Sequence, residues 1–442
     1  MGGNENNQEA HGLLEYGIMR THLHSRGTQF AVAVTAALAL FAADAYAVID
    51  GLTGSTFTLS ANDGYVLGGD GLSIYTWGFA NDTGPMQYPG PTLIVNQGTV
   101  ITIFLKNYLP EPVSIVFPGQ EGVTATGGVA GQLTQEAPAD NGATTVEYQF
   151  QASEPGTYHY HSGTHMDLQL EMGLVGAIIV RPTEFPVDQW AYNHADSAYD
   201  HEYLFLLTEM DYDVHLMAEF GLWDQIDTTT FHPVYWFING RNFPDTTLPS
   251  GTPWLPNQPY NCLPRMHPGE RLLLRIIGGG RDLHPFHPHG NNTTVIAKDA
   301  RLLQSPLGTG ADLAYSDYTI ASLPGQTVDA IFEWTGAQLG WDVYGHAPGD
   351  PMEPFEYAPD HGKPFPVILP GQQELTFGGV YSGSPFLGAA GDLPPGEGGL
   401  NVYGGFMYPW HSHAENEIVN NDIFIGGMLS LLIIEPHGTP IP

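Results

Sequence analysis

Apolar residues in this chain come in short runs separated by glycine and proline, a spacing that suits strands better than helices. Leu93 to Val95, a turn at Asn96 to Gly98 and the alternating stretch Val100 to Leu105 predict a β-hairpin. Thr144 to Phe150 alternates again, and Thr157 to His161 and Leu174 to Val180 predict two further strands. Only Met166 to Met172 suits a helical turn. Many short strands with regular turns predict a β-sandwich over residues 48–183. A linker is expected at 184–199. A second strand-rich region follows over 200–442, with runs at Tyr203 to Thr208, Glu270 to Ile277, Val328 to Glu333 and Met428 to Ile434. It carries a glycine- and proline-rich insertion at about 347–405. The halves repeat each other loosely. Gly173-Leu174-Val175-Gly176 with its strand up to Pro182 matches Gly426-Gly427-Met428 with its strand up to Pro436. The turn before Val100 likewise matches His267-Pro268-Gly269-Glu270-Arg271. The expected fold class is all-β, a duplicated sandwich.

Composition supports this reading. Gly 55 and Pro 36 are high for 442 residues, and charged residues make up only 13%. A net charge of −35 argues against nucleic acid, whose recognition needs a basic surface. Near the N-terminus, Arg20 and Arg26 precede an apolar run from Phe30 to Ala43, and Ala45-Tyr46-Ala47 offers a small-x-small cleavage site. This is the layout of a secretory signal peptide. Residues 1–47 therefore read as an N-terminal extension and signal, with Met19 as an alternative start, and the mature chain as exported to the periplasm or extracellular space. The run is short for a membrane span, and no later stretch is apolar enough, so no membrane span is expected in the mature chain. The single cysteine, Cys262, cannot form an internal disulfide and reads as structural.

The chemistry lies in the histidines. Asp282 to Gly290 holds His284, His287 and His289 with two prolines between them. In an extended segment residues two apart share a side, so His287 and His289 present two imidazoles to one point. A second cluster, His159, His161 and His165, closes the first half; a third, His411-Ser412-His413, closes the second. Neutral imidazole is the commonest metal ligand near neutral pH, and copper ranks above zinc for nitrogen sites, so copper is the first choice and zinc the second. Asp167, Asp282 and Glu415 are the acids nearest these rings in sequence.

The motifs His284-Pro-Phe-His287-Pro-His289-Gly, Tyr160-His161-Ser162 with His165, and Trp410-His411-Ser412-His413 occur in an order that resembles the multicopper oxidase family. That resemblance implies two cupredoxin-like Greek-key β-sandwich domains, a three-copper cluster held by four histidine pairs, and a blue copper held by His, Cys and His. It also implies a small-molecule or metal-ion electron donor, dioxygen as acceptor, and a homotrimer, the assembly that two-domain members tend to form. The chain departs from the pattern in two places. Val116 and Pro118 stand where the first histidine pair belongs. Ser412 stands where the blue-copper cysteine belongs, and Glu417 where its partner histidine belongs. By the resemblance, His289 and His411 hold one copper, with His165 offered as third ligand in place of Gly163. His161 and His413 hold a second, and His287 alone remains at the third. His159 is a further candidate as a substitute ligand, and His284 as the remaining blue-site histidine.

The resulting expectation is an exported copper-binding protein, a copper-dependent oxidoreductase with a histidine-only site between domains and no blue copper. The alternatives are a non-catalytic copper-binding or tolerance protein and a metal-free structural relative. A nitrite-reductase-like enzyme is a variant of the first reading, but it would need the missing cysteine.

Overall fold

Three apolar runs, at Leu174–Val180, Tyr203–Thr208 and Arg271–Ile277, do not alternate with polar residues as a half-exposed strand would. The computed structural model shows why: these strands are buried on both faces. It describes residues 49–183, 189–337, 339–340, 342–344, 346, 349–354, 356–363, 384–385 and 405–441. The expected signal segment, the start of the linker and most of the insertion lie outside the described residues.

The first sandwich has one sheet of β1 (Thr56–Leu67), β2 (Ser73–Asn81), β4 (Val100–Asn107) and β5 (Thr145–Gln151), in the order β2-β1-β4-β5. Its second sheet contains β3 (Leu93–Asn96), β6 (Gly156–His161) and β7 (Val175–Arg181), in the order β3-β7-β6. The second sandwich repeats this plan. Strands β8 (His201–Met210), β9 (Tyr235–Ile238), β11 (Arg271–Gly278), β13 (Thr293–Lys298) and β15 (Thr327–Glu333) form a sheet in the order β9-β8-β11-β15-β13. Strands β10 (Arg265–Met266), β12 (His284–Pro288), β14 (Ile320–Ser322), β16 (Phe406–Ser412) and β17 (Leu429–Ile434) form the other, in the order β10-β17-β16-β12-β14.

The duplication holds strand by strand. β1 runs parallel to β4 as β8 does to β11, and β3 runs parallel to β7 as β10 does to β17. Two cupredoxin-like Greek-key sandwiches are thus present. Among the described residues no helix is long and apolar enough to cross a membrane.

Side-chain alternation sorts the apolar residues into three interfaces. Leu93, Val95, Ile178 and Val180 join the first core, and Phe205, Leu207, Leu274 and Ile276 join the second. The other faces of the same strands meet each other: Ile94, Val175, Ala177 and Ile179 pack with Leu204, Leu206 and Ile277. The result is four stacked sheets in which the middle two have no solvent face. Each fully buried Val, Leu or Ile contributes roughly 1.5–3 kcal/mol, so this middle layer is a large part of what joins the sandwiches.

The expected hairpin at 93–105 is a correction. Both strands exist, but β3 pairs with β7 while β4 pairs with β1 and β5 in the opposite sheet. The turn crosses the sandwich instead of closing a ladder. β3 is apolar on both faces and belongs to the doubly buried sheet, whereas β4 exposes Val100 and buries Ile101, Ile103 and Leu105. Gly98, at φ 81°, makes the corner, and its N–H donates to the Ala152 carbonyl at 2.7 Å. The expected helical turn is present as α1 (Met166–Gln169). A second helix, α2 (Tyr212–Glu219), is capped by the Asp211 carboxylate, which accepts from the Asp213 N–H at 3.1 Å. In the linker, Tyr192 and Tyr199 are buried against Leu273 and Ile331. Cys262 is buried and donates to the Ile238 carbonyl, and burial pushes its thiol up to about 12.

The middle layer also holds a closed polar network. Glu202 on β8 accepts from Arg181 on β7 and from Arg275 Nε on β11 at 2.8 Å. Arg275 reaches Thr157 Oγ1 on β6 at 3.0 Å, and Asp329 on β15 accepts from Thr157 at 2.6 Å and from the Tyr192 hydroxyl at 2.5 Å. Burial alone would raise the Glu202 carboxyl, but the two guanidinium groups outweigh it and hold it down at about 2. Removing one partner would leave buried charge uncompensated. Glu202→Gln should therefore lower unfolding stability by about 3–5 kcal/mol in urea titration. Breaking the exposed Arg271–Glu333 pair with Glu333→Gln should cost less than about 1 kcal/mol. Equal losses would show that the network is not special.

Candidate metal centre

β12 and β16 are antiparallel neighbours, with His287 opposite His411 and Phe286 opposite Ser412. Phe286, Tyr408 and Trp410 fill the second core, so by strand alternation His287 and His411 project from the opposite, outward face of the last sheet. Four rings collect there. The His287 centroid lies 4.5 Å from that of His289, 5.6 Å from His411 and 4.9 Å from His413. His289 and His411 bring their Nε2 atoms to 3.0 Å.

The other ring nitrogens are already committed. His411 Nδ1 lies 2.6 Å from the Ser412 carbonyl, and His287 Nδ1 lies 2.7 Å from the Tyr318 carbonyl. A ring that donates from Nδ1 to a carbonyl keeps a lone pair on Nε2, the tautomer a metal needs. Burial lowers the pKa of His287 and His411, and burial with the neighbouring rings takes His289 down to about 3. These imidazoles are neutral at pH 7. Two ring nitrogens at 3.0 Å, one of them left with a lone pair by the His411 Nδ1 bond, and a third ring against them fit a metal ion of the kind that imidazole binds.

The first sandwich carries the corresponding pieces. His161 faces Val116 through paired backbone hydrogen bonds, as His287 faces His411, so Val116 occupies the place opposite a motif histidine. His161 Nδ1 lies 2.8 Å from the Ser162 carbonyl, repeating the arrangement at His411. Burial lowers the pKa of His161 and takes that of His159 to about 3; the two rings stack at 5.0 Å. His165 sits apart from them, at φ 42°, with Nδ1 3.0 Å from Glu111 Oε2 and Nε2 3.9 Å from Asp167. Of the acids considered as ring partners, Glu415 lies 3.2 Å from His413, while Asp282 offers its backbone N–H to Glu209.

Strand alternation also determines what does not meet. Thr157, His159 and His161 share a side, and Thr157 uses that side to reach Asp329 in the third sheet. His287 and His411 leave the far face of the fourth sheet, so the third and fourth sheets lie between them and His161. Among the described residues, no hydrogen bond or ring contact joins His159, His161 or His165 to His287, His289, His411 or His413. Within one chain His165 is therefore not brought to the His289–His411 pair.

His284 has a different environment. It faces the second core with no exposed surface, and its two ring nitrogens meet two carboxylates: Nε2 lies 2.8 Å from Glu209 and Nδ1 2.9 Å from Glu417. Ser412, fully buried, follows on the neighbouring strand. A ring bonded to a carboxylate at both nitrogens carries both protons, and an imidazolium has no lone pair for copper. Burial works against this charge, but Glu209 and Glu417 outweigh it and push the pKa up to about 9. Glu209 could not have been assigned from sequence, because it lies 75 positions away from His284. The only sequence signal was Glu417 at a motif position.

These features define a two-sandwich cupredoxin protein with a histidine cluster on paired strands. Residues 83–184 match the family model described as Multicopper oxidase. The chain is 28% identical over 217 residues to the iron transport multicopper oxidase fetC of Epichloe festucae, over 46% of this chain and 30% of that one. In structure it is similar to the multicopper oxidase mgLAC, with TM-score 0.53, 19% identity, and coverage of 88% and 87%. It is also similar to the blue copper oxidase from Nitrosomonas europaea, with TM-score 0.51, 18% identity, and coverage of 85% of each chain. Residues 83–184 thus carry the match to the multicopper oxidase family, and the chain shares the fold of solved multicopper oxidases. It matches less than a third of the length of the curated relatives.

The clamp on His284 has a pH signature. Its folded pKa, about 9, lies above the ordinary value of about 6.5, so its stabilisation is complete below about pH 6.5 and is lost as pH rises through about 9. The contribution is on the order of 3 kcal/mol. The urea midpoint should fall between about pH 7 and pH 10, and Glu417→Gln should flatten that fall. A profile unchanged by Glu417→Gln would remove the clamp as its cause.

Proposed function

We propose that this protein is an exported copper oxidoreductase that works through a histidine-held copper and has no blue-copper relay. One observation carries the reading: neutral His289 and His411 face each other through Nε2 atoms 3.0 Å apart, with His411 Nδ1 tied to a carbonyl. Copper bound by such imidazoles supplies one-electron redox chemistry with an open position for a small oxygen ligand. The chain's own residues fix the rest. Ser412 and Tyr318 carbonyls hold the tautomers, and β12 and β16 hold the rings. The protonated His284, Glu417 and Ser412 leave no thiolate and no lone pair where the family places its blue copper. Donors are small molecules or metal ions, in keeping with relatives that include iron transport oxidases and laccases, and dioxygen is the acceptor.

The ligand set is completed between subunits of a homotrimer. Support comes from the separation of His161 and His411 within one chain, with the third and fourth sheets between them. His161, with His159 or His165, then meets the outward face of the fourth sheet from a neighbouring copy. Export rests on the signal-like pattern of residues 1–47. A second reading, a copper-holding protein without turnover, is favoured by the closed His284 site, which removes the family's point of electron entry.

Copper-loaded protein should retain at least one copper per chain after dialysis. It should give a paramagnetic resonance signal without intense absorption at roughly 600 nm, the region of a cysteine–copper charge-transfer band. His289→Ala or His411→Ala should abolish that signal. Retention of less than one copper, or a blue band, would sink the proposal. Oxygen uptake with phenolic, cuprous or ferrous donors separates the enzyme from the copper-holding protein, which would show none. Mixing His161→Ala with His289→Ala chains should restore some copper retention if sites form between subunits, and none if they form within one.

A further inference from the structure

Beside the family's histidines, the start of the insertion gathers a different set of donors. Asp342 and His346 lie just before it, and Glu356 and His361 lie within it. Each offers one ligand atom, and the four atoms lie within 4.8 Å of one another. His346 Nδ1 is 2.9 Å from Asp342 Oδ2 and 3.2 Å from Glu356 Oε1, and His361 Nδ1 is 2.8 Å from the same Glu356 oxygen. The centroids of the two imidazoles lie 4.8 Å apart, with their planes inclined at 43°. The carboxylates are almost fully buried, with side-chain exposures of 0% and 2%, while His361 retains 20%.

This arrangement is poorly explained as hydrogen bonding alone. One N–H on His346 Nδ1 would have to be shared between carboxylate oxygens of two residues, at 2.9 and 3.2 Å. Two ring nitrogens also converge on a single oxygen of Glu356. Among the described residues neither carboxylate has an ion pair with lysine or arginine, so the only side-chain partners of these two buried charges are imidazoles, with the Gly362 N–H also donating to Asp342 Oδ2 at 2.9 Å. Burying such charges without a cation is costly. The second oxygens are held from outside: Asp342 Oδ1 accepts from the Tyr344 N–H at 2.8 Å, and Glu356 Oε2 from the Glu353 N–H at 2.9 Å. Those bonds orient one oxygen of each carboxylate inward, as outer partners of metal ligands do.

We propose that Asp342, His346, Glu356 and His361 form a separate four-coordinate site for a divalent first-row metal ion, zinc in the first place. Two imidazoles and two carboxylates make a neutral complex with a dication. Metal–ligand bonds of roughly 2.0–2.1 Å in a tetrahedron set ligand atoms about 3.3 Å apart, close to the separations here. Four protein ligands leave no open position, so the ion is structural and pins the insertion to the second sandwich. The grouping of His201, His267 and Glu270 is weaker: there one carboxylate satisfies the two rings separately and His267 Nε2 is already on the Thr439 carbonyl.

The site stands independently of the copper reading and is tested in a His289→Ala/His411→Ala chain. After removal of metal with a chelator, that chain is titrated with zinc alone, and bound zinc is counted after dialysis. One zinc per chain is expected to remain, and His361→Ala or Glu356→Gln should weaken its binding at least tenfold. Cobalt should give the strong visible bands of a tetrahedral site. If both variants hold zinc as the parent does, or cobalt shows only weak octahedral bands, the site is overturned. The cobalt spectrum of the parent decides the matter even where a variant fails to fold.

Discussion

The middle pair of sheets has no face in water, and the rest of the structure depends on that constraint. A strand buried on both sides must be apolar at every position or must satisfy whatever polar group it carries. β7, β8 and β11 meet the first condition along most of their length. Arg181, Glu202, Arg275, Asp329 and Thr157 largely meet the second by closing on one another, with Arg275 Nη2 left without a hydrogen-bond partner among the described residues. Two positive and two negative groups cancel, and each polar side chain comes from the face turned toward the other sandwich. The same alternation sends His159 and His161 into this layer and sends His287 and His411 out of the far one.

The His284 pocket illustrates how a metal position can be converted into a structural one. Its location is set by β12, whose even-numbered side chains enter the second core beside Ser412. A thiolate and a second imidazole there would build a copper site. Serine and glutamate cannot, and a lone buried histidine would be an unsatisfied polar group. Glu209, reaching from β8, and Glu417 supply acceptors for both nitrogens, and the histidine responds by holding its proton. The outward cluster shows the opposite response. There His287, His289 and His411 are packed against each other and carbonyls, with no carboxylate on Nε2 among the described residues, and burial keeps these three neutral. Histidines a few residues apart therefore differ in charge state because of what faces them.

Much of the fold was legible in the chain, since periodicity and glycine–proline punctuation report which strands exist. The two-sandwich plan was visible in the repeated glycine-bounded terminal strands. Partnering was less visible. Leu93 to Val95 followed by Val100 to Leu105 looked like a hairpin because turn chemistry is local, whereas the choice of sheet depends on burial of both faces of β3. The linker looked like a connector because Tyr192 and Tyr199 declare their partners only when Leu273 and Ile331 arrive. The cluster of Asp342, His346, Glu356 and His361 escaped notice because its spacing follows no strand or helix period across a glycine-rich stretch.

The sequence by itself determined the strands, the histidine clusters, and the presence of Ser412, Val116 and Pro118 beside them, because these depend on residue type and short-range spacing. Only the tertiary structure decided which histidines are neutral, which is charged, and which can meet. Protonation depends on acceptors brought from distant strands, such as Glu209 to His284. Meeting depends on the direction of side chains in a stack of four sheets. Nothing local in His161 or His411 encodes that two sheets separate them; only the packing of β7 against β8 does.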